Sequence, residues 1–278
     1  MVTIGPDLGA GDRGLTDGLV IEHLAKRFGP SDAQVHALDD VSIRVERGRF
    51  VAIVGPSGSG KSTLLRIVAG LVHADAGSVA IFGESVEDAR ENKHIGYVPQ
   101  TPALLPWRTV AENVALPFEV NRAHGPNDSD GSTTTKRRVG AMLNAVGLGS
   151  QGARFPAELS GGMQQRVAIA RALVFRPEVL LMDEPFSALD ELTREQLRLE
   201  LLRLFDDQGQ TVLFVTHSIA EAVHLADEVV VLSSSPGRVI GEVTVPLVRP
   251  RAALVETTMA FHEIENEVRA VMREGWTP

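Results

Sequence analysis

The run Gly55-Pro56-Ser57-Gly58-Ser59-Gly60-Lys61-Ser62-Thr63 sets two glycines, a lysine and a hydroxyl at the spacing G-x-x-x-x-G-K-[ST]. Glycines let backbone N–H groups wrap an oxyanion, and a helix starting near Lys61 adds the positive end of its dipole. Lys61 is expected to reach the β- and γ-phosphates, and the Ser62 hydroxyl to ligate Mg²⁺. With this composition a chance match arises about four times in a thousand such chains, before any context is required. The constellation therefore points to a nucleoside triphosphate. Further on, Val179–Met182 leads into Asp183-Glu184, two carboxylates at a strand's C-terminal end, where α/β sheets hold ligands. Alone, such a pair is usually a solvated turn. Beside the cradle, Asp183 is expected to hold hydrated Mg²⁺ and Glu184 to polarise the attacking water as general base.

These residues need a sheet to carry them. Phe50–Val54 is a short apolar run bounded by glycine, as a parallel strand buried on both faces would be. Leu19–Ile21, Val41–Val45, Val79–Phe82, Ile95–Val98, Thr211–Val215 and Glu228–Leu232 read as further strands, and Ser62–Gly70 and Arg194–Phe205 as helices. The alternation predicts a mostly parallel α/β sheet covered on both faces. Residues 102–158 read as a helical insertion, interrupted by a polar surface loop at Asn121–Thr135. Phe261, Ile264, Val268 and Val271 stand at helical spacing, which predicts a helix packed on its own domain. The expected organisation is a flexible tail at 1–18, an ATPase domain at 19–245 and a C-terminal helical extension at 246–278.

Composition limits the alternatives. The 278 residues are 44% hydrophobic and 23% charged, enough for a sizeable core. No apolar stretch of the length a spanning helix needs and no secretory leader are read, so a cytosolic chain is expected. The absence of cysteine excludes disulfides, iron–sulfur clusters and cysteine-bound zinc. A net charge of -9 argues against a broad footprint for nucleic acid.

Leu159-Ser160-Gly161-Gly162-Met163-Gln164-Gln165-Arg166 resembles the L-S-G-G-Q signature of the ATP-binding-cassette family, with Met163 in place of the more usual Gln. With the cradle and the strand-Asp-Glu element in the same order, the resemblance covers roughly residues 19–245. It implies a P-loop NTPase (RecA-like) fold, with a mostly parallel sheet core, an inserted helical subdomain and an antiparallel β edge. Ser160, Gly161 and Gly162 begin a helix read over Gln164 through Leu173, so they offer a hydroxyl and free N–H groups as a second anion site. In the family the two anion sites meet only across a head-to-tail dimer, with ATP sandwiched between the cradle of one protomer and the signature of the other.

Other positions follow from the resemblance. Gln100 resembles the glutamine that senses Mg²⁺ and the attacking water, with an ordinary loop residue as the alternative. His217 resembles the histidine that contacts the γ-phosphate and positions Glu184, the alternative being structural. Ser187–Asp190 resembles the loop that crosses the dimer interface, unless Asp190 simply caps the next helix. Phe28 resembles the aromatic that stacks on adenine, with a core position as the other reading.

Leu104-Leu105-Pro106-Trp107-Arg108 puts large apolar groups, a Trp and an Arg in a Pro-bounded loop, a composition suited to a protein-binding surface. The segment resembles the Leu-Pro-Trp loop of the nitrate, sulfonate and taurine importer branch, and Ser235–Arg238 with Arg249–Arg251 resembles that branch's closing segment. The resemblance implies an ATP-hydrolysing, peripheral subunit at the cytoplasmic face of the inner membrane. It would work as a homodimer or pseudo-dimer, contact transmembrane permease subunits through Leu104–Arg108, and depend indirectly on an extracytoplasmic solute-binding protein. Import of a sulfonate, taurine or nitrate is expected from this resemblance alone, with riboflavin or a pyrimidine precursor as neighbouring cargoes. A cassette ATPase acting on DNA or ribosomes, or an assembly ATPase, is the competing class; the coiled-coil, zinc or second-cassette features expected of the former are not read here.

Overall fold

The computed structural model describes residues 18–30, 33–120, 131–187, 189–249, 251 and 253–275. The tail expected at 1–18 lies outside them except for Gly18, which already belongs to the first strand, β1 (Gly18–Phe28).

Five short strands build the central sheet: β3 (Phe50–Val54), β6 (Ile95–Val98), β7 (Val179–Asp183), β8 (Thr211–Val215) and β9 (Glu228–Leu232). They run parallel in the order β9-β3-β8-β7-β6, and β10 (Val239–Thr244) closes the β9 edge antiparallel. Successive side chains on a strand point to opposite faces. Accordingly Phe50, Ala52, Val54, Leu180, Met182, Val212 and Phe214 enter one core, and Val51, Ile53, Val179, Leu181, Leu213 and Val215 enter the other. This two-sided burial is why these strands read as unbroken apolar runs.

The first face is covered by α5 (Gly161–Leu173), α6 (Glu191–Gln208), α7 (Ile219–Leu225) and α8 (Met259–Glu274). Phe261, Ile264 and Val268 of α8 are buried there, as their spacing predicted, and Val271 packs partly buried beside them. The second face is covered by α1 (Lys61–Val68) and a four-stranded antiparallel sheet of β2 (Val35–Glu46), β1, β4 (Ala76–Ile81) and β5 (Glu84–Ser85). The short helix α2 (Val86–Glu91) follows β5, capped by Ser85.

The helical insertion forms a third core. Val110 and Val114 of α3 (Val110–Glu119) and Val139 and Leu143 of α4 (Gly131–Ala145) pack against Val167, Ala170 and Val174 of α5 and its C-cap. Since α5 also buries Ile169 and Leu173 in the first core, one helix belongs to both units.

Several expected boundaries shift. The loop expected to Thr135 gives way to helix at Gly131, and its first part, 121–130, lies outside the described residues. Helix α6 begins at Glu191 rather than Arg194 because Asp190 caps it, accepting from the Thr193 N–H at 3.0 Å. Phe82 falls past β4, in a turn at φ 51. Helix α5 starts at Gly161, capped by Ser160.

Candidate functional site

The phosphate loop, the carboxylate pair, Gln100 and His217 all leave the parallel sheet at its C-terminal edge. The loop 55–60 follows β3, Gln100 follows β6, Asp183 ends β7 with Glu184 next after it, and His217 follows β8. Parallel strands align these ends by their register: Met182 stands beside Val98 and Phe214, and Asp183 beside Val215.

The loop delivers its backbone into α1 through Gly60, at φ 82 and so tightly packed that a Cβ would lie 2.5 Å from the Ala37 carbonyl oxygen. Only glycine suits both conditions. Lys61 Nζ donates to the carbonyls of Gly55 and Pro56, both at 2.8 Å, and to Ser59 Oγ at 3.2 Å. The loop thus closes around one cation. Burial lowers the pKa of that ammonium, against the pull of Glu184 and Asp183. Gly55, Pro56, Ser57, Gly58 and Ser59 form the loop itself, and Ser62 and Thr63 open α1.

The Ser62 hydroxyl donates to Asp183 Oδ1 at 2.8 Å. Burial raises the Asp183 pKa; the Ser62 hydrogen bond, the Arg66 charge and the Tyr97 hydroxyl act in the other direction. Arg66 and Tyr97 are absent from the sequence reading. Their signals were present: Arg66 stands one helical turn after Ser62, on the same face, and Tyr97 stands on the strand that leads to Gln100. Ser62, Asp183 and the Gln100 amide are hard oxygen donors of the kind that hold Mg²⁺ together with water and phosphate, so the set fits that ion. Among the described residues no cluster of three His, Cys, Asp or Glu could hold a metal by itself.

Glu184 adopts φ 44, unusual for a residue with a side chain. Its N–H donates to the Val215 carbonyl at 2.9 Å. One carboxylate oxygen, Oε2, lies 3.3 Å from Gln100 Nε2 and 3.2 Å from His217 Nδ1. Three strand ends thus converge on one oxygen.

Ser160 Oγ accepts from the Met163 N–H at 3.3 Å, while the Cβ position of Gly161 faces open space. A Cβ on Gly162 would touch Thr193 and Leu189 at 3.2 and 3.3 Å, so the start of α5 packs on the loop that Asp190 ends. In this single chain Asp190 acts as the cap of α6, the alternative that its sequence allowed. Phe28 ends β1 at 43% exposure with Lys26 Nζ 5.3 Å from its ring centroid, which rules out the core alternative.

The Leu104–Arg108 loop is held from within. Buried Asn113 accepts from the Leu105 N–H and donates to the carbonyls of Leu105, Arg108 and Thr109. Arg171 of α5 donates to the carbonyls of Pro102 and Ala103. The result is a support for Trp107, a residue that is 71% exposed.

Residues 38–187 match the family model described as ABC transporter. A taurine import ATP-binding protein of Rhizobium johnstonii is 41% identical over 89% of this chain and 92% of its own length. A nitrate import ATP-binding protein of Synechococcus elongatus is 41% identical over 85% of this chain and 84% of its own. A solved ATP-binding cassette, a dimer in a post-hydrolysis state with ADP and Pi, superposes with a TM-score of 0.74 at 32% identity, covering 83% of this chain and all of its own.

Proposed function

The chain belongs to the ABC transporter ATP-binding family, and from that premise we propose that it is the ATP-hydrolysing subunit of an importer for a small solute. The observation that carries the mechanism is the Glu184 oxygen shared by Gln100 and His217, next to the Ser62–Asp183 pair.

In this reading the 55–63 loop wraps the phosphates with its backbone N–H groups, and Lys61 supplies the charge that opposes theirs. Ser62, Asp183 and Gln100 would hold Mg²⁺, which when bound would neutralise phosphate charge. Glu184 accepts the proton of the attacking water, and His217 and Gln100 keep its carboxylate aimed. Phe28 offers an exposed ring to the adenine.

Ser160 and Gly161 are exposed at a helix N-terminus with Gly162 half-buried beside them, which suits the three to the triphosphate held by a second copy. The solved dimer with ADP and Pi supports a homodimer; in this reading its interface includes the Ser187–Asp190 loop, whose Leu189 packs near Gly162 within the chain. Trp107 and its neighbours suit a membrane-embedded permease, so the subunit would sit peripherally at the cytoplasmic face. Among the described residues no helix is long and apolar enough to cross a bilayer. Sulfonate, taurine or nitrate is the proposed cargo, chosen by the permease and an extracytoplasmic binding protein.

Capture from detergent-solubilised membranes tests the role. Recovery of a polytopic protein together with Mg²⁺-dependent ATPase activity supports it; recovery of nucleic acid or ribosomes overturns it. Growth of a deletion strain on single sulfur and nitrogen sources tests the cargo.

A further inference from the structure

Helix α7 directly follows His217, and both of its ends are fastened by groups that the hydrolytic reading leaves unused. At its C-terminal end Arg251, with a fully buried side chain, donates from Nη1 to the carbonyls of Val223, His224 and Ala226 at 3.1, 3.0 and 2.7 Å. Arg249 adds a bond to the Leu225 carbonyl at 2.9 Å. These are carbonyls that a helix end leaves without partners. The buried His224 ring places Nδ1 2.7 Å from Glu256 Oε1, and the same oxygen lies 3.1 Å from Arg198 Nη1 of α6. Glu256 belongs to the short turn of helix Ala253–Thr257 that leads into α8.

The N-terminal end is tied as well. Glu221, 5% exposed, accepts the Thr216 hydroxyl proton at 2.5 Å on Oε2, and its Oε1 lies 3.7 Å from Arg194 Nε. Thr216 Oγ1 accepts the Ser218 N–H at 3.0 Å, so the residues on both sides of His217 share one hydroxyl. Arg194 also donates to the Leu189 carbonyl at 3.0 Å, in the loop that packs against Gly162. Buried ion pairs gain little stability over apolar packing of the same volume. What they add is fixed direction, and here the direction is along α7 towards His217.

We propose that the C-terminal segment is a positioning element for hydrolysis: Glu256, through His224 and α7 to Glu221 and Thr216, fixes the backbone at His217 and hence its reach to Glu184. None of these residues touches nucleotide in this scheme. The inference rests on the role proposed above for His217.

Glu256→Gln removes the charge and keeps the shape, while Glu256→Asp keeps the charge. Turnover is measured on the full chain and divided by the number of molecules that bind a fluorescent ATP analogue, so misfolded protein does not count. Glu256→Gln lowers kcat about tenfold, leaves KM for ATP within about twofold, and Glu256→Asp recovers part of the loss. Glu221→Gln shows the same split. Unchanged kcat per binding-competent molecule in Glu256→Gln, or a rise in KM that accounts for the whole effect, overturns the proposal. His217→Ala, run alongside, separates the two layers. Normal turnover there removes the role of His217 itself, whereas lost turnover there with normal turnover in Glu256→Gln removes only the positioning.

Discussion

Asn113 and Leu105 exchange two hydrogen bonds, the Leu105 N–H donating to Oδ1 at 2.8 Å and Nδ2 donating to the Leu105 carbonyl at 3.1 Å. A buried amide on α3 thus holds a surface loop in one shape. On the side towards the site, Gln165 Nε2 lies 3.5 Å from the Pro99 carbonyl, just before Gln100. A single segment therefore runs from the Glu184 contact to the exposed Trp107, with supports from α3 and α5 along it.

Trp107→Ala should weaken the association with membrane partners and leave basal ATPase activity largely intact, because the indole is exposed and its removal disturbs little packing. Asn113→Ala should lose the same association for a different reason. It strips partners from half-buried backbone groups, at about 1–3 kcal/mol. Co-purification with the permease and the thermal midpoint distinguish the two: the first variant keeps its midpoint and the second does not. Loss of nucleotide binding in Trp107→Ala would assign the indole a structural role instead.

Glu184→Gln preserves the size of the side chain and its contacts with Gln100 and His217 but removes the proton acceptor. ATP should still bind, hydrolysis should fall by about 100-fold or more, and a dimer should persist in Mg-ATP. Size-exclusion chromatography with and without nucleotide reads the outcome. A variant that stays monomeric, or that turns over at the parent rate, would remove Glu184 from the role of base.

Legibility in the sequence depended on the surroundings of each element. Phe50–Val54 was plain because helices and sheet cover both of its faces, leaving no polar position to break the run. β1 was legible only at Leu19–Ile21, since Glu22, Lys26 and Arg27 lie in a strand with register shifts and one wetter face. The cradle and the Asp183-Glu184 pair announced themselves by local spacing. Arg66 and Tyr97 gave only a placement beside named site residues, and Glu221 and Glu256 gave none, because their partners Arg194, Arg198 and His224 lie on other elements. Apolar periodicity alone places the start of α6 at Arg194, three residues late, because its first turn is polar; the Asp190 cap, the alternative the sequence offered, marks the true start.

Gly60→Ala should abolish nucleotide binding without touching any charged group. The added methyl would meet the Ala37 carbonyl at 2.5 Å and Leu38 Cδ2 at 2.6 Å, at a backbone φ of 82. Either the loop or the β2 strand must move, costing about 1–3 kcal/mol. Titration with a fluorescent ATP analogue checks the binding, and a chemical denaturation curve checks the cost. Parent-like affinity would mean that the loop relaxes freely around the methyl.

Glu221→Gln should change how stability depends on pH. Burial raises the pKa of this carboxyl above its ordinary value of 4.5, despite the Thr216 hydrogen bond and the nearby Arg194 and Arg198. A raised folded-state pKa means that the native state holds the proton more tightly than the unfolded chain. The parent therefore loses stability as pH rises from the ordinary carboxylate value through the raised one, and this contribution is absent from the variant. Denaturation midpoints taken from acid to neutral pH should show the difference, variant minus parent, growing in favour of the variant across that window and then levelling. A difference that runs the opposite way would mean that the two arginines outweigh burial and keep Glu221 ionised, as a fully compensated ion pair.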